Sequence, residues 1–255
     1  MTLTLQPIHS IPMIQPGDDL ARIVCDALGG AGVALEDGDI LVLAQKIVSK
    51  AEGRLFNLND VTPSERAMEL AAQTEKDPRF IELVLRESCE VLRVRPGTII
   101  TQHRAGFICA NAGIDHSNVR GPYGSPDDWV LLLPEDSDAS ARRIQEGLQA
   151  LSGKRLGVLI IDSHGRAWRN GTVGVTIGLA SVPGIVDMRG HEDLYGYTLR
   201  VTIIAAADEL AAAASLMMGQ ADERTPVVHV RGFPYPLRES SLQEMIRPKE
   251  MDLFR

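Results

Sequence analysis

The chain has 255 residues, with 26 Lys and Arg against 34 Asp and Glu for a net charge of −8, 44% hydrophobic residues and only 4% aromatics. That composition is globular rather than disordered, and a chain of this length buries roughly 70–75% of its unfolded surface, so its core requires neither disulfides nor a structural metal. The acidic balance, with no basic run, leaves no footprint for wrapping nucleic acid or lying on an anionic membrane, so neither partner is expected. No apolar run approaches the ~20 residues of a spanning helix, and MTLTLQPIHSIPMI lacks a positive leader, which points to the cytoplasm. Cys25, Cys89 and Cys109 show no metal spacing and read as buried thiols.

Pro16-Gly17-Asp18-Asp19 opens a helical stretch through Ile23 and Leu28, and the acid-Gly-acid turn before ILVLAQKIV marks a buried strand. Thr62-Pro63-Ser64-Glu65 resembles a helix start with Pro at its first position, carried on by Met68, Leu70 and Ala71. A second helix is expected over Asp77–Arg86, with Phe80, Val84 and Leu85 facing inward. Thr98-Ile99-Ile100 and Gly106–Ala110 read as short strands that lead into a loop, NAGIDHSNV. A strand VLLLP and an amphipathic helix SARRIQEGLQALSG, stopped at Gly153, come next. RLGVLIID is then a strand broken sharply at SHGRAWRNG, and GTVGVTIGLASVPGIV is strand with tight turns. YTLRVTII runs as a strand into an Ala-rich helix ending at Met217-Met218-Gly219-Gln220, before the strand VVHVRG. Helices and strands mingle without a regular βαβ period. The fold expected is therefore α+β, with mixed or antiparallel sheets, flanking helices and room for two intertwined subdomains. It is read as a single unit over residues 1–255, with a core over 7–235 and a polar tail over 236–255.

The strongest chemical feature is a carboxylate after each of two apolar runs, Asp115 behind FICANAGI and Asp162 behind LGVLII. An acid at the mouth of a buried strand is rigid yet reachable, which suits a hard cation such as Mg²⁺ or Mn²⁺. Two such groups facing each other repel, and a divalent ion removes that cost. The plainer account makes both aspartates turn-formers that bond their own backbone. Ser49-Lys50-Ala51-Glu52-Gly53-Arg54 puts two cations in a loop, and Gly165, Arg166, Arg169 and Gly171 form a second basic loop beyond Asp162; both suit phosphate, though neither is a Walker A motif. A solvated Lys-Glu-Arg surface cluster is the plainer account of the first. His103, His191 and His229 have no visible partner in sequence, and no nucleophile elbow, Cys-His dyad or dinucleotide fingerprint occurs.

Taken in order, GDDL, EDGDILVLAQKIVSKAEGR, PSERA, NAGIDHSNV, GKRLGVLIIDSHGRAWRNGTVG, DLYG, ADELAA, LMMG and VRG resemble the coenzyme F420 γ-glutamyl ligase family, in its single-function form, from about Pro7 to Gly232. The resemblance implies a ligase that forms carbon–nitrogen bonds. Such an enzyme uses GTP and a divalent cation, Mg²⁺ or Mn²⁺ with K⁺ as a further candidate, to join L-glutamate to the deazaflavin F420 precursor through an acyl phosphate. It also implies a homodimer. By position, Asp115 and Asp162 match metal aspartates that serve catalysis, and Ser163 matches a hydroxyl that helps hold an ion. Lys50 and Asn118 match nucleotide contacts, as do Gln45 and Lys46, the stretch Ile11-Pro12-Met13-Ile14, and Met218-Gly219-Gln220. Gln45 and Lys46 stand where relatives often carry small hydroxyl residues, Gln220 where an acid is common, and His164 where Asn is frequent. Competing readings are a ligase of the same mechanism on another γ-glutamyl acceptor, a metal-dependent nucleotide or phosphate-ester hydrolase, and a non-catalytic nucleotide-binding or scaffold protein.

Overall fold

β1 (Thr4–Ile8) and α1 (Leu20–Gly30) open the computed structural model, which describes residues 2–253. The Asp19 side chain accepts from the backbone N of Arg22 and starts α1, as the turn signal implied. β2 (Ile40–Ala44) gives way at once to α2 (Gln45–Ala51), so the expected strand through QKIV is corrected to a helix. Ile47 and Val48 favour a strand locally, but as helical residues they bury against the α1 side of the core. β3 (Leu55–Asn57) follows, then α3 (Glu65–Thr74), whose cap is Ser64, so Pro63 precedes the helix rather than starting it. α4 (Pro78–Arg86) buries Ile81, Leu83 and Val84, while Phe80 and Leu85 are only partly covered.

β4 (Ser88–Arg95), β5 (Thr98–His103) and β6 (Ile108–Ala110) form an antiparallel three-stranded sheet; with α3, α4 and β7 (Trp129–Leu131) it encloses its own cluster, including Leu70, Ile81, Ile99 and Val130. β7 pairs with β3. α5 (Ser137–Ser152) ends at Gly153. β8 (Gly157–Arg166) and β9 (Arg169–Ala180) make one long hairpin, so the expected sharp break after Asp162 is instead uninterrupted strand. The short pair β10 (Val186–Asp187) and β11 (Ile203–Ile204), α6 (Ala206–Met218) and β12 (Val227–Arg231) complete the chain; the polar tail still buries Leu242 in the core. Of the cysteines Cys109 is buried, Cys25 half-buried and Cys89 exposed, which corrects the expectation for Cys89.

The main sheet runs β1-β12-β2-β8-β9, antiparallel except for β2 and β8. β1 can carry Pro7 because it is an edge strand with one partner, so the missing N–H breaks nothing on its open side. Side chains alternate across the sheet. Leu41, Leu43, Val158 and Ile160 pack with α1 and α5, whereas Ile40, Val42, Leu159 and Ile161 pack with α6. Two glycines of β9 let helices sit directly on the strand from both faces. A Cβ at Gly178 would lie 2.5 Å from the Ser137 backbone, and one at Gly174 would lie 2.6 Å from the Ala211 carbonyl. Two bonds fix those contacts, Leu179 N to Asp138 Oδ1 at 2.9 Å and Thr176 N to Asp208 Oδ1 at 2.9 Å.

Candidate active site

The parallel register pairs Ala44 with Ile161, so Gln45 leaves the sheet at the carboxyl end of β2 beside Asp162, where β8 runs on past its parallel neighbour and α/β sheets open their crevices. Asp162 lies within β8 rather than at its end, which corrects the strand-mouth picture for this residue. Asp115 arrives from another part of the chain. Its backbone exchanges two hydrogen bonds of 2.9 Å with Leu131, which fastens it to the end of β7. The Gln45 amide donates to Asp115 Oδ2, and Gln45 Oε1 accepts from Ser49 Oγ at 2.9 Å, which sets the amide's direction.

Lys46 Nζ lies 3.3 Å from Asp115 Oδ1 and also donates to the Ser117 carbonyl at 3.0 Å. One helical turn on, Lys50 Nζ donates to the Asn118 carbonyl at 3.0 Å. Asn118 takes a left-handed backbone, φ 57°, a conformation that Asn tolerates better than most residues, and its Nδ2 donates to Ala221 O at 3.0 Å. Ser163 Oγ donates to Gln220 Oε1 at 2.9 Å, and Gln220 Nε2 donates to Ser215 Oγ at 3.1 Å. Four segments far apart in sequence thus meet: α2, the 115–118 loop, β8 and the turn after α6.

Burial, followed by the charge of Asp162, pushes the Asp115 carboxyl up to about 6; Lys46 and Gln45 pull the other way without cancelling the rise. Burial and the neighbouring Lys46 lower the Lys50 ammonium from its usual range. The site therefore holds facing carboxylates and, beside them, two like-charged amines, each pair strained by its own sign. Burial, and then Asp162, also push the Cys109 thiol up to about 12, so it stays protonated and is no nucleophile.

Among the described residues no set of three or more His, Cys, Asp and Glu side chains gathers as a metal cluster. The oxygen donors at hand are the carboxylates of Asp115 and Asp162, the Ser163 hydroxyl and the Gln220 amide oxygen. Such a set fits a hard divalent ion that keeps waters or phosphate oxygens in its remaining positions, and a dication would relieve the repulsion from Asp162 that adds to the effect of burial on Asp115.

The remaining expected contacts fall differently. Met218 is core, Gly219 has φ 74° at the end of α6, and Ile14 is buried against the α1 side of the sheet, with Ile11 partly covered there. Pro12 lines a hollow of about 530 Å³ beside α1 with Ile23, Asp26 and Gly30, and Met13 is exposed. Lys50 belongs to α2 rather than to a loop. Arg166 and Arg169 sit at the exposed tip of the β8–β9 hairpin.

A family model for F420-0:gamma-glutamyl ligase matches residues 9–232. The chain belongs to that family. It is 46% identical over 257 residues to the coenzyme F420:L-glutamate ligase of Methanothermobacter thermautotrophicus, covering 100% of both chains. It is 45% identical over 258 residues to the ligase of that name from Methanopyrus kandleri, covering 100% of this chain and 98% of the relative. With the one from Archaeoglobus fulgidus it shares 41% identity over 255 residues, covering 100% and 97%.

In this member of the F420-0:γ-glutamyl ligase family, three residues have supporting roles that the sequence did not assign. Ser49 orients Gln45, Thr225 Oγ1 donates to the Met218 carbonyl at 2.8 Å, and His164 Nε2 lies 3.1 Å from Asp162 Oδ2. Only the last had a signal in sequence: residues two apart on a strand share a face. Phe107 stacks on His103 and tilts against His164, holding that ring in place.

Proposed function

We propose that the protein is a GTP-dependent ligase that joins the amino group of L-glutamate to a carboxylate of the deazaflavin F420 precursor, in coenzyme F420 biosynthesis. One observation carries the reading. Two half-buried carboxylates, one from the 115–118 loop and one from β8, lie close enough that the charge of Asp162 adds to burial in raising Asp115 to about 6, within reach of two lysines that turn toward the same loop. Such a pairing of acids and amines suits a nucleotide triphosphate and its cation.

A carboxylate is a poor electrophile and must first be activated. Its oxygen attacks the γ-phosphorus of GTP, GDP departs, the glutamate nitrogen attacks the acyl carbon of the resulting acyl phosphate, and inorganic phosphate leaves. Lys46 and Lys50 supply positive charge for the phosphate oxygens, and Asn118 joins the phosphate side to the turn after α6. Asp115, Asp162 and Ser163 are the residues that would hold Mg²⁺ or Mn²⁺. When bound, that ion supplies charge neutralisation to the phosphate oxygens. Gln45 and Lys46 keep Asp115 in position, and His164 does the same for Asp162.

A homodimer accompanies this reading. Around β10 and β11, Leu194, Tyr195 and Val201 are 96%, 94% and 86% exposed, an apolar surface of the kind that protein interfaces use. Light scattering on the purified protein tests the assembly.

The activity is tested by incubation with the F420 precursor, GTP, Mn²⁺ and L-glutamate, followed by mass spectrometry. One added glutamyl unit with stoichiometric GDP supports the proposal. Phosphate release that is indifferent to glutamate and precursor supports a hydrolase instead.

A further inference from the structure

Another hollow, of about 510 Å³, lies where the end of α2 meets the start of α5, and its walls are charged: Glu52, Arg54, Glu135, Ser140 and Arg143 line it. That volume falls within the roughly 300–1,000 Å³ of small-molecule sites. Arg54, the second cation of the 49–54 run, has its partners here and not at the 115–118 loop. Its side chain is 12% exposed, and it is anchored from behind, with Nε donating to the Leu133 carbonyl at 2.9 Å and Nη2 to Glu87 Oε2 at 2.8 Å. The third bond is of another kind. Nη1 donates to Glu135 Oε1 at 3.1 Å, but the Glu135 side chain is 82% exposed, and an ion pair with one arm in water contributes little and exchanges readily. A guanidinium has five N–H groups, so each terminal nitrogen of Arg54 keeps one for a further acceptor.

The same hollow holds a carboxylate with an oxygen to spare. Glu52 Oε1 accepts from Ser140 Oγ and from Arg143 Nη2, at 2.5 Å each, and no described residue bonds its Oε2. An anchored cation with open N–H groups, a carboxylate with an open oxygen and a second arginine are complementary to an α-amino acid that carries a further acid. The strand ladder fixes how far this lies from the paired aspartates. Leu131 pairs with Asp115 on one side and with Leu55, the residue after Arg54, on the other. At ~4.8 Å per strand spacing, the Arg54 strand runs roughly 10 Å from the Asp115 backbone.

We infer that this hollow is the docking site of the amino-acid substrate, L-glutamate: one carboxylate takes Arg54 by displacing Glu135, the ammonium meets Glu52, and the second carboxylate reaches Arg143. The inference rests on the ligase reading of the neighbouring site and goes beyond it by naming residues for the incoming amino acid. Lys46 and Lys50 are committed to phosphate in that reading, so the carboxylates of glutamate need other cations.

The test titrates L-glutamate, and glutarate as the analogue without an amine, into nucleotide-free protein by calorimetry, beside the steady-state KM for L-glutamate and for GTP. Wild type is compared with Glu52→Gln, Arg143→Ala and Glu135→Ala. Glu52→Gln keeps an oxygen for Ser140, and melting temperatures confirm that each variant folds. Loss of one charge-assisted contact is worth roughly tenfold, so Glu52→Gln and Arg143→Ala should each raise the L-glutamate dissociation constant and KM about tenfold. Glu135→Ala removes a competitor for Arg54 and should tighten L-glutamate about threefold, a sign that a merely structural role would not produce. Glutarate should bind wild type about tenfold more weakly than L-glutamate. L-Glutamate constants that are the same in all three variants overturn the proposal, as do a change confined to the KM for GTP, glutarate binding as tight as that of L-glutamate, or no saturable L-glutamate binding to wild type. Wild type that shows the expected binding pattern yet transfers no glutamate to the precursor overturns the ligase reading instead.

Discussion

The two ends of β2 treat a carboxylate withdrawn from water in opposite ways. Asp39, just before the strand, has a 2% exposed side chain and is gripped by His229 Nε2 at 2.8 Å and by Arg231 through bonds of 2.9 and 2.7 Å. Burial alone would raise its pKa, but Arg231, His229 and the Glu36 backbone N–H more than offset burial and hold it below the ordinary carboxylate range. At the far end, Asp115 has a single ammonium and an amide, which do not offset burial and the like charge of Asp162, and it rises to about 6. A carboxylate whose neighbours satisfy it serves the fold. One whose neighbours leave it strained is poised for a cation that the fold does not itself supply.

The comparison is broken most severely by removing the acids at the open end. Asp162→Asn should cut ligase turnover about a thousandfold or more while the protein stays folded, checked by kcat beside circular dichroism. Next in size, Asp39→Ala strands the Arg231 and His229 side chains and should cost on the order of 3–5 kcal/mol, lowering the melting temperature by about 10 °C, read by calorimetry. Asp162→Asn should produce no such loss.

Asp115→Asn sharpens the contrast through its sign. The folded pKa of Asp115 is raised, so the stability it contributes is present below the ordinary carboxylate range and is lost as pH rises through about 6. Metal-free Asp115→Asn should therefore melt higher than wild type at pH 8, by about 2–6 °C, and the gain should vanish near pH 4. Asp39 runs the other way: its lowered pKa gives stability at neutral pH that is lost as pH falls. Smallest is the effect at His164. His164→Ala should weaken Mn²⁺ binding roughly tenfold, whereas His164→Asn, which keeps a donor toward Asp162, should stay close to wild type.

The apolar runs and turn signals were enough to read β2, the first half of β8, α1 and α5 from sequence, because ILVLA and GVLII are too apolar to sit anywhere but between two layers. The start of α2 was not legible: Ile47 and Val48 extend the β-branched pattern, and only their packing against the core decides for helix. β1 was hidden by Pro7, which an edge position tolerates. Asp115 and Asp162 stood out as acids ending apolar runs, but their meeting depends on the parallel pairing of β2 with β8 and on the two bonds from Asp115 to Leu131, neither of which leaves a mark in local sequence. For His229 the partner lies 190 residues away, at Asp39, and no spacing rule reaches that far.

The central claim, that Asp115 and Asp162 together hold a divalent ion, is tested most directly by titrating Mn²⁺ into the nucleotide-bound protein and following the free ion by electron paramagnetic resonance at several pH values. The account predicts saturable binding that weakens as pH falls through about 6, where Asp115 takes a proton, and that is abolished in Asp162→Asn. Binding of equal strength in wild type and Asp162→Asn, or affinity flat between pH 5 and 8, would contradict it.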